Sequence, residues 1–359
     1  MARRGLLWMA ALAALAAAGC GRGQQAAAPP RAPPPDPVSA RVQAINGAEL
    51  AGAILPPTPA ATTPGLFQPD PVVVKAEVLL ARAHASPGVI DGVAGTNLRR
   101  AILAFEAMVG LPADGQLTET VWARLKAPAS PPEFAVYTES AADVAGPFYP
   151  DVGENFVAAA KLRALGYSSP EEAIAARFHM SEALLEALNP GADFKAAGTR
   201  LAVAQPEVPA LPPVDHVQVD KAQASLRAYD AQGAMVGSFP ATVGSVERPS
   251  PRGVHKVVGV SLDPVYVYDP AKLTWGPKGH GKLTIRPGPN NPVGLVWIAL
   301  NAPGYGIHGS PRPDKIGKTA SHGCVRLTNW DALLLSSALK PGTPVVFVHQ
   351  RGGAAAPGG

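Results

Sequence analysis

The stretch Ser321-His322-Gly323-Cys324-Val325-Arg326 places a single thiol between glycine, histidine and arginine. A second histidine stands sixteen positions before the thiol, in the pair His308-Gly309. The chain has 2 cysteines, and the other, Cys20, lies in an N-terminal segment that is expected to be processed. A lone thiol framed by two histidines is typical of a nucleophile, because an imidazole can remove the thiol proton and a thiolate can attack a carbonyl carbon.

The residues around Cys324 suit acyl transfer. A thiol attacks readily near neutral pH when its pKa falls below the free value of about 8.5, and a histidine can both take and return its proton. Gly323 permits close backbone approach, so the amides of Gly323 and Cys324 are expected to face a developing oxyanion. If this stretch is extended, Arg326 shares a face with Cys324 and can hold a substrate carboxylate through two hydrogen bonds.

Two other interpretations of the cluster stay open. An inert cysteine is common in protein cores, but the polar and glycine neighbours of Cys324 are unlike the apolar surroundings of such a thiol. A zinc site formed by His308, His322 and Cys324 is the second, although a structural zinc ion usually has four ligands and no further Cys or His is spaced to complete the set.

The two motifs resemble those of the L,D-transpeptidases with a YkuD-type catalytic domain. The resemblance includes Ser250-Pro251-Arg252-Gly253, which is similar to the family's Thr-Pro-x-Gly hairpin, and it covers residues 213–349. It implies that Cys324 is the acylated nucleophile, that His308 is the base and that the carbonyl of Gly309 orients this base.

The same resemblance assigns residues to the substrate. Arg326, Ser321 and His322 are expected to line the bound peptide, so that His322 is a neighbour of the reaction and not its base. Tyr305 is expected to lend a hydroxyl to the oxyanion site, as a tyrosine upstream of the histidine does in some members.

The N-terminus predicts export. Met1-Ala2-Arg3-Arg4 is basic, and the apolar run over residues 6–18 is too short for a stable membrane span, so residues 1–20 predict a signal peptide. Ala17-Ala18-Gly19-Cys20 resembles a lipoprotein cleavage box with Cys20 as the lipidated residue, although leucine is commoner where Ala17 stands. Arg3-Arg4 leaves open whether export follows the general or the twin-arginine route. With Cys20 used there, Cys324 has no disulfide partner, which favours a working thiol in an exported protein.

Residues 21–71 are rich in proline and alanine and are predicted to be a disordered tether, since such a composition buries no core. About fifty residues at about 3 Å each would reach on the order of 150 Å. Disorder without any spacing role is the alternative.

A small helical unit is predicted over residues 72–128. Apolar residues at helical spacing predict a helix that starts at Thr96 or Asn97, a second helix starts at Thr118, and residues 76–83 predict an earlier one. Gly88-Val89-Ile90-Asp91-Gly92 and Leu111-Pro112-Ala113-Asp114-Gly115 resemble the three-helix peptidoglycan-binding domain 1. A packing domain without a ligand is the alternative.

A second module is predicted over residues 134–206. Ser169-Pro170-Glu171-Glu172 is typical of a helix start with a capping box, Ser181 can cap a second helix, and a strand is expected on either side. This strand-helix-helix-strand order resembles a LysM domain, interrupted by an apparent insertion over residues 139–163. Sugar binding and a purely structural spacer both remain open.

From residue 214 the apolar pattern changes to period two, which predicts a mostly antiparallel β domain of the YkuD-like sandwich type over residues 213–349. Thr328 is expected to cap one helix, with Asp331 completing a capping box, and residues 345–348 to form a last strand. The glycine- and proline-rich stretch 276–292 is expected to form a lid, with Trp275 at its edge either on the substrate or in ordinary packing. Residues 350–359 predict a disordered tail.

Together these features predict a multidomain α+β protein that is an exported, lipid-anchored peptidoglycan L,D-transpeptidase and acts as a monomer, in the periplasm. No metal or organic cofactor is expected. The net charge of +4 is modest for 359 residues, and no clustered basic stripe indicates nucleic acid. An inactive wall-anchoring protein, an L,D-carboxypeptidase and a cross-link hydrolase are the alternatives.

Overall fold

The computed structural model describes the chain between residues 36 and 348, apart from short gaps. The described residues are 36–56, 67–127, 131–149, 152, 155–271 and 276–348, and they belong to one compact unit. The predicted signal peptide with Cys20, residues 21–35 and 57–66 of the predicted tether, Trp275 and the predicted tail lie outside the described residues. Among the helices that are described, none has both the length and the apolar character that a bilayer span requires.

Four helices come first: α1 (Pro37–Asn46), α2 (Pro71–Arg82), α3 (Thr96–Met108) and α4 (Glu119–Lys126). Helices α2 to α4 share a core that includes Leu80, Ile102 and Trp122, as the helical spacing predicts. The two Asp-Gly turns beside α3 are each held by a glutamate of a helix. The amide of Gly92 donates to Glu77 at 2.9 Å, and the amide of Gly115 donates to Glu106 at 2.8 Å.

Helix α1 corrects the prediction that residues 21–71 bury no core. Asp36 caps the helix with its side chain, and the proline at position 37 stands in the first turn, where its missing N–H costs nothing. Val42 and Ile45 are buried, and the Asn46 side chain both donates to and accepts from the backbone of Phe134 at 2.9 Å. Composition failed here because two apolar residues on one helix face suffice when a neighbouring surface covers them.

The next elements are β1 (Phe134–Thr138), α5 (Ala141–Val144), α6 (Phe156–Ala159), α7 (Pro170–Arg177), α8 (Glu182–Leu188) and β2 (Arg200–Ala204), with β1 and β2 paired antiparallel. The predicted strand-helix-helix-strand order is present, and α5 and α6 lie in the predicted insertion. Val42 of α1, Val74 of α2 and Leu184 of α8 belong to one buried cluster. The module therefore shares its core with the first two helices, and its resemblance to a LysM domain stays a prediction.

The C-terminal part of the chain is mostly strand. Its elements are β3 (His216–Asp220), β4 (Ser225–Tyr229), β5 (Met235–Pro240), β6 (Gly253–Leu262), β7 (Tyr266–Tyr268), β8 (Leu283–Ile285), β9 (Val296–Leu300), β10 (Gly306–His308), a 3₁₀ turn (Pro313–Lys315), β11 (Val325–Arg326), α9 (Asn329–Ala338) and β12 (Pro344–Val348). Thr328 caps α9 by accepting from the Asp331 amide. β7 and β8 form a separate hairpin.

The other eight strands form one sheet in the order β11-β10-β9-β6-β12-β3-β4-β5, in place of the two sheets of the predicted sandwich. The sheet is curled, as the contact between its two edge strands shows. Thr242, just after β5 at one edge, bridges Arg326 in β11 at the other edge. Among the described strands of this sheet, only two pairs are parallel, β12 with β3 and β10 with β11. The other pairs are antiparallel, so the prediction of a mostly antiparallel sheet is confirmed. The curl brings the cysteine motif against the segment that follows β5.

Candidate functional site

Cys324 lies in the loop just before β11 and is half-buried. Its Sγ lies 3.7 Å from the carbonyl oxygen of Gly304, to which the thiol donates a weak hydrogen bond. Burial raises the pKa of Cys324, although a hydrogen bond from the Gly306 backbone and the charge of Arg326 act in the opposite direction. The site thus lacks the lowered thiol pKa that favours attack near neutral pH, and burial favours the neutral thiol.

His308 ends β10 and is 3% exposed. Its Nδ1 lies 2.7 Å from the carbonyl oxygen of Gly309, which assigns the ring proton to Nδ1 and leaves the lone pair on Nε2. Burial lowers the pKa of His308 to about 3; the charge of Arg326 adds to this effect and the Gly309 hydrogen bond opposes it. The predicted contact with Gly309 is present, and it holds a neutral imidazole.

The strand register brings the two motifs together. β10 and β11 run parallel with His308 opposite Arg326, and paired residues on neighbouring strands project to the same face of a sheet. On the other side of β10, His308 pairs with Trp297, and the two rings stack at 5.5 Å between centroids. The imidazole is thus held by the Trp297 ring and by the Gly309 carbonyl, which a base needs if it is to meet a thiol in one geometry.

Gly309 is required for steric reasons as well. A Cβ atom at Gly309 would lie 2.2 Å from Oδ1 of Asn329, the first residue of α9. That amide accepts from the Leu295 backbone at 3.1 Å and donates to the Pro289 carbonyl at 3.0 Å. The Asn329 side chain therefore occupies the space beside Gly309 and links the start of α9 to the end of β10.

Two serine hydroxyls shape the cysteine loop. Ser321 donates to the carbonyl of Cys324 at 2.5 Å and accepts from the amide of Gly323 at 3.2 Å. Ser250 donates to the carbonyl of Gly323 at 2.6 Å and accepts from the amide of Gly244 at 2.9 Å. Gly323 has a φ of 116°, which favours glycine. The loop is thereby tied to the hairpin segment 244–250.

These bonds correct two predictions. The backbone amides of Gly323 and Cys324 were both predicted to donate to the oxyanion. The Gly323 amide already donates to Ser321, so the Cys324 amide is the better candidate of the two. Ser321 is 2% exposed and bonds within its own loop, so its hydroxyl shapes the loop instead of lining the bound substrate. Ser250 was missed as a site residue, and the available signal was a hydroxyl residue at the start of the hairpin motif.

Arg326 and His322 lie together at the mouth of the site. Nη2 of Arg326 is 3.5 Å from Nδ1 of His322, and His322 is exposed while Arg326 is half-buried. The Arg326 charge lowers the pKa of both His308 and Cys324, so the guanidinium lies near both. A cation in this position can attract an anionic group of a substrate.

Two tyrosines border the cysteine. A Cβ atom at Gly323 would lie 2.9 Å from the ring of Tyr305, so this ring covers the glycine. The pKa of Tyr266 in β7 is raised by burial and then by the nearby Cys324. Tyr266 was missed in the sequence, where the alternation Tyr266-Val267-Tyr268 before a glycine-rich stretch was the available signal.

The hairpin of β7 and β8 is supported by the inserted helix α6. The ring of Phe156 lies 5.9 Å from that of Tyr266 and 5.4 Å from that of Tyr268. The Leu165 amide donates to the Pro287 carbonyl at 2.9 Å. Ala159 of α6 and Leu165 also share a buried cluster with Ile285 of β8, so the insertion and the residues just after it pack against the predicted lid stretch.

The zinc alternative has no geometric support. Among the described residues, no group of three or more His, Cys, Asp or Glu side chains is placed to hold a metal ion. The Nδ1 atom of His308 is also committed to a backbone carbonyl.

A neutral, anchored imidazole at the end of β10 and a thiol in the loop that leads into the adjacent parallel strand β11 define a cysteine-histidine site in a mixed α+β protein. Residues 214–347 match the YkuD family, described as "L,D-transpeptidase catalytic domain". Residues 69–125 match PG_binding_1, described as "Putative peptidoglycan binding domain". The C-terminal part of the chain therefore matches the YkuD family and follows a region that matches the peptidoglycan-binding type, in agreement with both resemblances.

Relatives of the catalytic domain carry the same name. The chain is 43% identical over 74 residues to "Putative L,D-transpeptidase YkuD" of Bacillus licheniformis, which covers 20% of this chain and 45% of that protein. It is 29% identical over 193 residues to "Probable L,D-transpeptidase YbiS" of Escherichia coli K12, which covers 52% of this chain and 62% of that protein. The chain thus spans about half the length of these relatives.

Among solved structures, L,D-transpeptidase 3 from Mycobacterium tuberculosis overlaps 44% of this chain and 77% of its own, with 16% identity and a TM-score of 0.32.

Proposed function

We propose that the protein is a peptidoglycan L,D-transpeptidase in which Cys324 is the nucleophile and His308 the general base. The observation that carries the proposal is the buried, neutral His308, which is held by Gly309 at the end of β10, beside the cysteine loop of a YkuD-family domain. A base must be deprotonated before it can act, and this imidazole is so at neutral pH.

In the first half-reaction the thiol proton moves to Nε2 of His308, and the sulfur bonds to the carbonyl carbon of the peptide bond between an L-centre and the following D-residue. The tetrahedral intermediate collapses when that C–N bond breaks, and the departing amine takes the proton from His308. A thioester on Cys324 remains. The donor is a stem tetrapeptide, ordinarily with diaminopimelate before a terminal D-alanine.

In the second half-reaction an amine of another stem peptide attacks the thioester carbon and gives a proton to His308. The C–S bond breaks, the new amide forms, and the sulfur recovers the proton as a thiol. Water in place of the amine gives a trimmed peptide, which is the carboxypeptidase outcome. The Cys324 amide and the Tyr305 hydroxyl are the proposed donors to the oxyanion, and Arg326 the proposed partner of a substrate carboxylate.

The remaining modules are proposed to keep the enzyme on its polymer. The domain at residues 69–125 supports peptidoglycan as the partner, and sugar binding by the LysM-like module is proposed from its strand and helix order. Holding the catalytic domain near stem peptides raises their effective concentration. We also propose export to the periplasm with a lipid on Cys20, which mass analysis of the mature N-terminal peptide would test.

Incubation of the purified protein with a defined tetrapeptide and with cross-linked muropeptides tests the activity. We expect a mass increase on Cys324 and cross-linked products from the wild type, and neither from Cys324→Ala, which should still pellet with sacculi. His308→Ala should cost far more turnover than His322→Ala. Acylation with release of monomers would indicate a hydrolase, and sacculus binding without any thioester would indicate an anchoring protein.

A further inference from the structure

The loop between the two catalytic motifs, residues 309–323, contacts the peptidoglycan-binding-type domain. Asn97, near the start of α3, donates from Nδ2 to the carbonyl of Ile316 at 3.0 Å. Arg100, one turn further along, donates from Nη1 to the carbonyl of Gly317 at 2.9 Å and to Oδ1 of Asn97 at 2.7 Å. One end of α3 therefore binds two consecutive carbonyls of this loop.

The contact is buried and close. Asn97 is 7% exposed, which is unusual for an amide unless its hydrogen bonds are made. Gly317 has a φ of 72°, and a Cβ atom there would lie 2.7 Å from Oδ1 of Asn97. At the edge of the contact, Nζ of Lys318 lies 3.2 Å from the carboxylate of Asp91. The loop and the helix fit against each other without space for a side chain at Gly317.

The bound loop is connected to the cysteine motif through Thr242. Its hydroxyl accepts from the Gly317 amide at 3.0 Å and donates to the Lys315 carbonyl at 3.2 Å. Its backbone exchanges two hydrogen bonds of 2.9 Å with Arg326, two residues beyond Cys324. A continuous path of contacts thus runs from α3 through the loop to β11.

The same domain also holds the chain downstream of the cysteine. Nε1 of Trp330 in α9 donates to the carbonyl of Gly88 at 3.3 Å, and Ser86 donates to the carboxylate of Asp331 at 3.0 Å. The segment from residue 316 to the first turn of α9 is therefore held at both ends by residues 86–100.

We propose that Asn97 and Arg100 are positioning residues for the nucleophile, so that the peptidoglycan-binding-type domain is part of the scaffold of the catalytic centre as well as a targeting module. The catalytic half of this inference rests on the proposed transpeptidase activity. A loop that carries a reacting group has to be held by its surroundings. A small displacement of that group lowers the reaction rate even when every reacting group is still present.

The test uses the full chain with Asn97→Asp, Arg100→Ala and Arg100→Lys. Asn97→Asp removes the donor to Ile316 and keeps the acceptor for Arg100. Arg99→Ala is the matched control, because Arg99 is on the same helix and donates to Asp114 of its own domain at 3.0 Å. Amide hydrogen exchange by mass spectrometry is measured together with kcat and KM for a tetrapeptide donor.

We expect Asn97→Asp and Arg100→Ala to speed exchange in residues 310–326, to leave β3 and β4 unchanged, and to lower kcat by about tenfold with a smaller change in KM. Arg100→Lys should recover part of the rate. The inference is overturned if both variants match Arg99→Ala, if exchange rises evenly across the chain, or if the loop loosens with kcat unchanged. If the wild type forms no thioester, the proposed function fails, whereas the exchange data still decide whether α3 holds the loop.

Discussion

The protonation states of two side chains define the chemistry that Cys324 can perform. Burial raises the pKa of the thiol and lowers that of His308 to about 3. The resting pair is consequently neutral on both sides, unlike a thiolate-imidazolium pair, so in the proposed reaction proton transfer would accompany attack instead of preceding it. Such a pair needs exact mutual placement more than it needs a perturbed thiol.

Ser250 is the residue whose removal tests that placement. Ser250→Ala deletes hydrogen bonds to both Gly244 and Gly323, which should lower the free energy of unfolding by about 1–3 kcal/mol and kcat by about tenfold. Ser250→Thr keeps the hydroxyl and should retain most of both. Denaturant unfolding and donor turnover are the measurements.

Ser261→Ala is the control for this change, because Ser261 is exposed on β6. A Ser250→Ala protein with wild-type kcat would show that the loop keeps its geometry without the serine.

At the level of elements, the sequence predicted what depends on local pattern. The strand pattern that begins after residue 214, the last strand at residues 345–348 and the caps at Thr118 and Thr328 are present as predicted, because alternation and capping are local signals. Helix α1 and the curl of the sheet were not predicted, since both depend on surfaces supplied by distant parts of the chain. The His308-Gly309 contact followed from the family resemblance, whereas the role of Ser250 depends on a contact across 73 residues.

The insertion in the second module, residues 134–206, supports the active-site side of the molecule, since α6 packs against the β7–β8 hairpin beside Cys324. We predict that Phe156→Ala loosens this hairpin, because the ring contacts with Tyr266 and Tyr268 are lost. The cost in stability should be about 1–2 kcal/mol, less than for a fully buried phenylalanine, and KM for the donor should rise several-fold.

Thermal unfolding and donor kinetics check this, with Phe67→Ala as the control at a phenylalanine that is 41% exposed. Unchanged KM in Phe156→Ala would mean that the hairpin does not depend on the insertion.

On the scale of the whole molecule, the three modules meet at α9. His179 of the second module stacks on Trp330 at 4.7 Å between centroids, while Ser86 of the first domain donates to Asp331. Burial raises the pKa of Asp331 from 3.8 to about 7. The first domain is therefore joined to α9 through a carboxyl group that is 3% exposed, and the second module through the ring of Trp330.

This carboxyl group makes stability depend on pH. Between about pH 4 and 7 the folded protein keeps a proton on Asp331 that the unfolded chain has released, so stability is lost as the pH rises through this window. Asp331→Asn should flatten the decline in melting temperature from pH 5 to 8. Glu139 and Glu171, whose pKa values are also raised to about 7, are present in both proteins and cancel in the comparison.

Glu119→Gln, at an exposed position of α4, serves as the reference substitution. If the melting temperature declined with pH equally in the wild type and in Asp331→Asn, Asp331 would be excluded as a source of the pH dependence.

The outer edge of β5 is covered by backbone from the first domain. Ala85 bridges Ser238 there, with hydrogen bonds of 2.9 Å from Ser86 to Ser238 and 2.8 Å from Ser238 to His84. A fragment that began at residue 213 would leave those backbone groups of Ser238 open to pairing with other copies of itself. The catalytic domain expressed alone would thus tend to form oligomers and precipitate. A soluble version requires the upstream segment to be included.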